Sequence, residues 1–153
     1  MTAYLSTSRL LDLSALEVHK LYKLRVDVFV AEQNTPYAEI DHTDAEQSTW
    51  HILAWNDGEL VGTARIFPSA GHSVLGRLAV TPSHRGSGVS DTIIEEALRV
   101  AAERWPEQDV ILDSQVPLVD FYGKYDFVAE GEPFDDTGVP HQRMRRAASN
   151  NQA

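Results

Sequence analysis

Residues 74–90, Val-Leu-Gly-Arg-Leu-Ala-Val-Thr-Pro-Ser-His-Arg-Gly-Ser-Gly-Val-Ser, constrain the fold more than any other stretch of the chain. They read without a break as strand, glycine turn and helix start. Residues 74–80 are mostly apolar and β-competent, and Pro82 forbids their extension as a ladder strand. Beyond Gly86 and Gly88, the spacing of Val89, Ile93, Ala97, Val100 and Ala101 is that of one helix face. The turn therefore presents backbone N–H groups at a helix N-terminus, where unpaired donors and the helix dipole carry roughly half a positive charge. Gly86 and Gly88 remove the Cβ atoms that would block close approach, and Arg85 adds a full charge beside them. This is the chemistry of a phosphate site. No Lys-Ser or Lys-Thr pair follows the glycines, which excludes a P-loop, and Asp91 stands at the third glycine position of the dinucleotide fingerprint, which excludes that as well.

The 153 residues suit one hydrophobic core rather than two, so a single domain over residues 1–146 is expected, with a small polar tail at 147–153 that frays. No apolar run approaches the length of a membrane span, and the first residues lack the basic and apolar regions of a secretory leader. Cysteine is absent, which excludes disulfides and thiol catalysis and fits a reducing cytoplasm. A formal net charge of −10 argues against nucleic acid as a partner. His19, His42, His51, His72, His84 and His141 are scattered without paired ligand spacing, so no metal site is expected.

Along the chain, Ser14-Ala15-Leu16-Glu17 has the spacing of a capping box, and the helix it starts should end between Val30 and Gln33, before Pro36. The loop that follows carries Tyr37, Glu39, Asp41, His42 and Asp44; taken alone, such an acidic run reads as a solvated surface. Residues 49–55 and 60–67 flank the turn signal Asn56-Asp57-Gly58-Glu59 and predict a hairpin. His51 and Arg65 lie within it, as partly buried polar side chains paired with neighbours. A helix over residues 89–104, stopped by Pro106, joins the strand at 74–80 to a second strand at 109–113. That βαβ unit makes the two strands parallel and adjacent.

Arg85-x-x-Gly88-x-Ser90, directly after Leu78-Ala79-Val80-x-Pro82, resembles the pyrophosphate loop of the GNAT acetyltransferases. Ser90 stands where a small apolar residue or glycine is usual. The resemblance implies a single-domain α/β GNAT fold, a mixed and mostly antiparallel sheet whose parallel pair splays apart, flanked by helices. It implies acetyl-CoA as co-substrate, with its pyrophosphate on Arg85, Gly86, Ser87, Gly88, Val89 and Ser90, and with pantetheine and the thioester carbonyl on the backbone of Leu78, Ala79 and Val80. Residues 114–127 are similar to the second signature of the family. Gln115 takes its asparagine position, Tyr122 its tyrosine, and Asp126 replaces a glycine that commonly ends the helix; aspartate tolerates the left-handed conformation needed there.

Residues 24–44 and the ending Asp136-x-Gly138-Val139-Pro140-His141-x-x-Met144 resemble the ElaA-like branch, with Thr35 where cysteine is frequent. The reaction implied is acetyl transfer to an amine of a small molecule or peptide. Tyr122 is the candidate acid, and Glu39, Asp41 and His141 are candidate bases. The carboxylates Glu39, Asp41 and Asp44 are expected to border the acceptor and to favour a cationic amine. Two rivals stay open, an acyl-homoserine lactone synthase and a non-catalytic CoA sensor, as does assembly into a homodimer.

Overall fold

The computed structural model describes residues 4–34 and 38–149; the readings placed on Thr35, Pro36 and Tyr37, and on residues 150–153 of the tail, lie outside it. Helix α1 (Ala15–Val26) begins at the expected capping box, with the Glu17 N–H donating to Ser14 Oγ at 3.1 Å and the Ser14 N–H to Glu17 Oε1 at 2.8 Å. It continues as a π-helical segment, Asp27–Glu32, capped by Gln33, which ends the helix within the expected stretch from Val30 to Gln33. Strands β2 (Trp50–Asn56) and β3 (Glu59–Ser69) form the predicted hairpin, and Asp57 (φ 51°) and Gly58 (φ 79°) supply its two left-handed positions. Strand β4 (His72–Val80), helix α2 (Val89–Arg104) and strand β5 (Val110–Gln115) form the βαβ unit, followed by the short helix α3 (Val119–Gly123).

The chain closes with β6 (Val128–Ala129), β7 (Phe134–Asp136) and β8 (Val139–Arg146). Asp126 does adopt the left-handed conformation, at φ 69°. Strand β1 (Tyr4–Ser8) has no counterpart in the sequence reading. Its Ser6-Thr7-Ser8 half offers no apolar alternation, and only pairing with β2 fixes it as an edge strand.

Among the described residues the sheet has eight strands in the order β1-β2-β3-β4-β5-β8-β6, with β7 also on β8. All neighbours are antiparallel except β4 and β5, which are parallel and adjacent as expected. Those two pair only at Ser73–Val110 and Val74–Ile111 and then part. The cause lies on the other side of β4. Between Thr63–Ala79 and Arg65–Gly76, two steps along β3 face three along β4, and Arg77 takes up the surplus at φ 56°. A bulge of this kind bends its strand and turns it away from one neighbour.

The core has two layers, one on each face of the sheet. Ile52, Ala64, Ile66 and Met144 pack with Ile93, Ala97 and Val100 of α2, while Leu53, Leu60 and Ala79 pack with Leu21, Leu24, Val28 and Phe29 of α1 and its extension. Consecutive residues Ile52 and Leu53 thus serve opposite layers, as the period of two requires. In the tail, Ala148 is buried and its N–H donates to Asp109 Oδ1 at 2.8 Å.

Helix α2 packs tightly over Gly62, where an added Cβ would lie 2.7 Å from Ile93 Cδ1 and 3.1 Å from Val89 Cγ1. Gly62→Val should therefore lower the unfolding free energy by about 1–3 kcal/mol through overpacking. Urea denaturation should show a lower midpoint at unchanged slope.

Candidate active site

Where β4 and β5 part, a cleft of ≈ 270 Å³ opens. Phe29 and Gln33 from the end of the first helix form one wall, Gly76, Arg77 and Leu78 of the bulged strand a second, and Ser114, Gln115, Tyr122 and His141 the opposite side. Leu78, Gln115, Tyr122 and His141, four of the predicted site residues, thus share one cavity. Ala79 and Val80 send their side chains into the core, leaving their backbone as the continuation of the same strand. Gln115 Nε2 donates to Gln33 Oε1 at 3.1 Å, bridging the cleft from β5 to the helix end.

Tyr122 is 8% exposed, edge-on to Phe121 and Phe127 with centroids 5.1 and 6.1 Å away, and its hydroxyl has no hydrogen-bond partner among the described residues. Burial pushes its pKa up to about 12, so the hydroxyl keeps its proton at neutral pH. His141 is 5% exposed and stacks on Phe134 at 6.0 Å. Its Nδ1 lies 2.8 Å from the Val139 carbonyl oxygen. A carbonyl only accepts, so Nδ1 is the donor in this contact, and Nε2 has no hydrogen-bond partner among the described residues.

The glycine loop stands at the end of β4, beyond the cleft wall. Gly86 (φ 74°) and Gly88 (φ 89°) both occupy left-handed positions, and an added Cβ at either would meet open space. Gly88 caps α2 with no side-chain hydrogen bond, in contrast to the capping box of α1. Val89 is buried and anchors the helix to the core, whereas Ser87 is exposed and its hydroxyl donates to the His84 carbonyl. Ser90 lies in the first turn, half-buried. Arg85 donates through Nε to the Val80 carbonyl at 3.0 Å and through both Nη groups to Glu32, at 2.5 and 2.6 Å. That contact holds the Glu32 carboxyl below its ordinary range and raises the guanidinium of Arg85.

The acidic loop is the main departure from the sequence reading. Arg25, 1% exposed, donates to Glu39 Oε1 at 2.8 Å, to the Glu39 carbonyl at 2.5 Å and to Asp44 Oδ1 at 2.6 Å. Arg65 donates to Asp41 Oδ1 at 2.7 Å and Asp44 Oδ1 at 3.0 Å; Arg77 donates to the Glu39 and Ala38 carbonyls and faces Glu39 Oε1 at 3.2 Å. Three carboxylates meet three guanidiniums, so the cluster is neutral rather than an acidic patch open to the acceptor. Glu39 and Asp44 are buried, and neither Glu39 nor Asp41 lines the cleft.

Burial pushes the Glu39 carboxyl up despite Arg25 and Arg77, whereas the hydrogen bond from Arg65 holds Asp41 below its ordinary range. Burial also pushes on Asp44, but Arg25 outweighs it and holds that carboxyl low. His51, fully buried with Nε2 2.9 Å from the Asp44 carbonyl, is driven toward its neutral form by burial. The sequence reading foresaw partners for His51 and Arg65 but gave Arg77 no role. The available signal was an arginine in the middle of an apolar strand.

Asp44→Asn should lower the unfolding free energy at pH 7 by about 3–5 kcal/mol, since it leaves buried guanidinium charge uncompensated. Because Asp41 and Asp44 titrate below their unfolded values, their stabilisation is present above about pH 4 and is lost as pH falls through the folded values; Glu39, shifted upward, acts in the opposite sense. The substitution should flatten the acid limb of stability against pH, read by chemical denaturation from pH 7 to 3.

Residues 14–148 match the family described as Acetyltransferase (GNAT) domain. Protein ElaA of Escherichia coli is 36% identical over 138 residues, covering 88% of this chain and 90% of that protein, and the Bacillus subtilis protein named Uncharacterized N-acetyltransferase YjcF is 36% identical over 126 residues, 82% and 89% of the two chains. The crystal structure of an acyl-CoA N-acyltransferase from Pseudomonas aeruginosa superposes with a TM-score of 0.90 at 36% identity, over 95% of this chain and all of that one. For the crystal structure of Escherichia coli ElaA the TM-score is 0.89 at 34% identity, over 95% and 99%. The CoA-dependent acyl-homoserine lactone synthase BjaI, at 15% identity and a TM-score of 0.75, shares the fold alone. With its parted parallel strands, glycine loop and this degree of likeness, the chain belongs to the GNAT acetyltransferase family, as an ElaA-like member.

Proposed function

We propose that this protein moves an acetyl group from acetyl-CoA to an amine of a small molecule or peptide, acting in the reducing cytoplasm expected of a cysteine-free chain. One observation carries the reading: a histidine whose Nε2 has no hydrogen-bond partner among the described residues and a buried, protonated tyrosine with a free hydroxyl line one cleft, beside a strand edge that has lost its partner.

The residues present fit acetyl-CoA. Beyond Val74, the N–H and C=O groups of β4 have no ladder partner in β5 and can hold an extended amide chain such as pantetheine. The open Cβ positions of Gly86 and Gly88 leave room for a diphosphate at the first N–H groups of α2, with Arg85 exchanging Glu32 for phosphate oxygen. When bound, the thioester supplies the activated acyl group and a thiol leaving group.

An amine is protonated at neutral pH and must lose a proton to attack. Of the three candidate bases His141 is best placed, because it lines the cleft and its Nε2 has no hydrogen-bond partner among the described residues, while Asp41 is held by Arg65 and Glu39 by Arg25. Tyr122, kept protonated by burial, donates to the departing sulfur. The backbone N–H groups of the bulged strand, around Leu78, polarise the thioester carbonyl.

Tyr122→Phe and His141→Gln should each lower kcat by about 10²–10⁴ in a thiol-release assay with an amine panel, with little change in the KM for acetyl-CoA. Near-wild-type turnover in either variant removes that residue from the mechanism. Arg85→Ala should weaken acetyl-CoA binding about tenfold by titration calorimetry. Unchanged affinity displaces the pyrophosphate from the glycine loop, and tight binding without turnover on any amine favours a sensor.

A further inference from the structure

Among the described residues, four charged side chains besides His141 line the cleft, and three of them are paired. Arg65 is bound to Asp41 and Asp44, Arg77 faces Glu39, and Asp113 accepts from Arg143 at 2.5 Å. The fourth is Asp136, whose carboxylate has no hydrogen-bond or ion-pair partner among the described residues. It is half-buried, the last residue of β7, and contributes to the cavity wall.

The local fold accounts for its orientation. The turn at Thr137 (φ 50°) and Gly138 (φ 90°) returns the chain into β8, and the Gly138 N–H donates to Asp135 Oδ2 at 2.9 Å, so Asp135 serves the turn. Side chains alternate along a strand, which sets Asp136 on the same face as Phe134. Phe134 is the cross-strand partner of His141 and stacks on its ring. Asp136 and His141 thus share one face as diagonal neighbours across β7 and β8, with backbone positions roughly 7–8 Å apart.

We infer that Asp136 determines acceptor specificity by receiving a second cationic group of the acceptor while the reacting amine sits at His141, so that the acceptor is an aliphatic diamine or polyamine. The inference rests on the amine-acetylating reading of the cleft. A half-buried carboxylate without a partner favours a cation. Two residues whose backbone positions are roughly 7–8 Å apart, both lining one cleft, suit two amines joined by several methylene groups. The preference for a cationic acceptor drawn from the acidic loop is thereby carried by a different residue.

The test compares 1,4-diaminobutane with butylamine, which has the same length and one charge fewer, on the wild type, Asp136→Asn and Asp136→Glu. Binding is measured by calorimetry on the CoA complex, and acetyl transfer by thiol release with each substrate varied separately. Asp136→Asn should weaken diamine binding and raise its KM about tenfold, leaving butylamine and acetyl-CoA within twofold, as expected for one charge-assisted hydrogen bond. Asp136→Glu should retain most of the preference.

Equal losses for both amines, or no preference for the diamine in the wild type, overturn the inference. Preferential diamine binding that depends on Asp136, without transfer to any amine, upholds the specificity site and rejects the transferase reading. Transfer that is indifferent to Asp136 does the reverse.

Discussion

The surplus residue at Arg77 is the constraint on which the rest of the site depends. A parallel pair with the ladder continued to its end would have its backbone satisfied and its side chains packed, with no opening between the strands. The left-handed turn at Arg77 breaks that continuity after two residue pairs. A non-glycine residue at positive φ costs of order 1 kcal/mol and persists only where its surroundings fix it. Here the Arg77 guanidinium is tied to the carbonyls of Ala38 and Glu39. Glu39 in turn is tied to Arg25 in the first helix, so the bulge, the acidic loop and α1 form one braced unit.

This brace is costly. Desolvating three guanidinium–carboxylate pairs consumes much of their mutual attraction, and an apolar cluster of equal volume would stabilise the fold as well. What charge adds is direction: hydrogen bonds to two carbonyls and five carboxylate oxygens allow few alternative arrangements of the loop over the strand. The π-helical end of the first helix completes the arrangement. Its Glu32 and the following Gln33 reach the two parted strands, one through Arg85 at the end of β4 and the other through Gln115 at the end of β5.

Much of this was legible in the sequence, and the division has a physical reason. Caps, turns and helix faces are written within a few residues, so Ser14 and Glu17, Asp57 and Gly58, and the span of α2 were read correctly. The parallel pair followed from the order strand, helix, strand. The ion pairs were not legible, because Arg25 meets Glu39 across 14 positions, Arg65 meets Asp41 across 24 and Arg77 meets Glu39 across 38. An acidic run shows its sign but not its partners, and the run read as an open attractant is neutralised from three elements. Strand β1 was missed for a related reason: its pattern is polar, and only an antiparallel neighbour some fifty residues away makes it a strand.

The start of α2 has a bearing on how such a chain can be engineered or can drift. Serine or aspartate is the usual first choice at a helix N-cap, worth about 1 kcal/mol over a residue that cannot cap. A consensus-guided search for thermostability would be drawn to Gly88, which has no side chain to satisfy the donors behind it. A capping oxygen there would occupy the same N–H groups that make the helix end receptive to an anion, and its Cβ would sit in the left-handed conformation that Gly88 adopts freely. The helix end is therefore a place where local optimisation and ligand capture compete for the same hydrogen atoms.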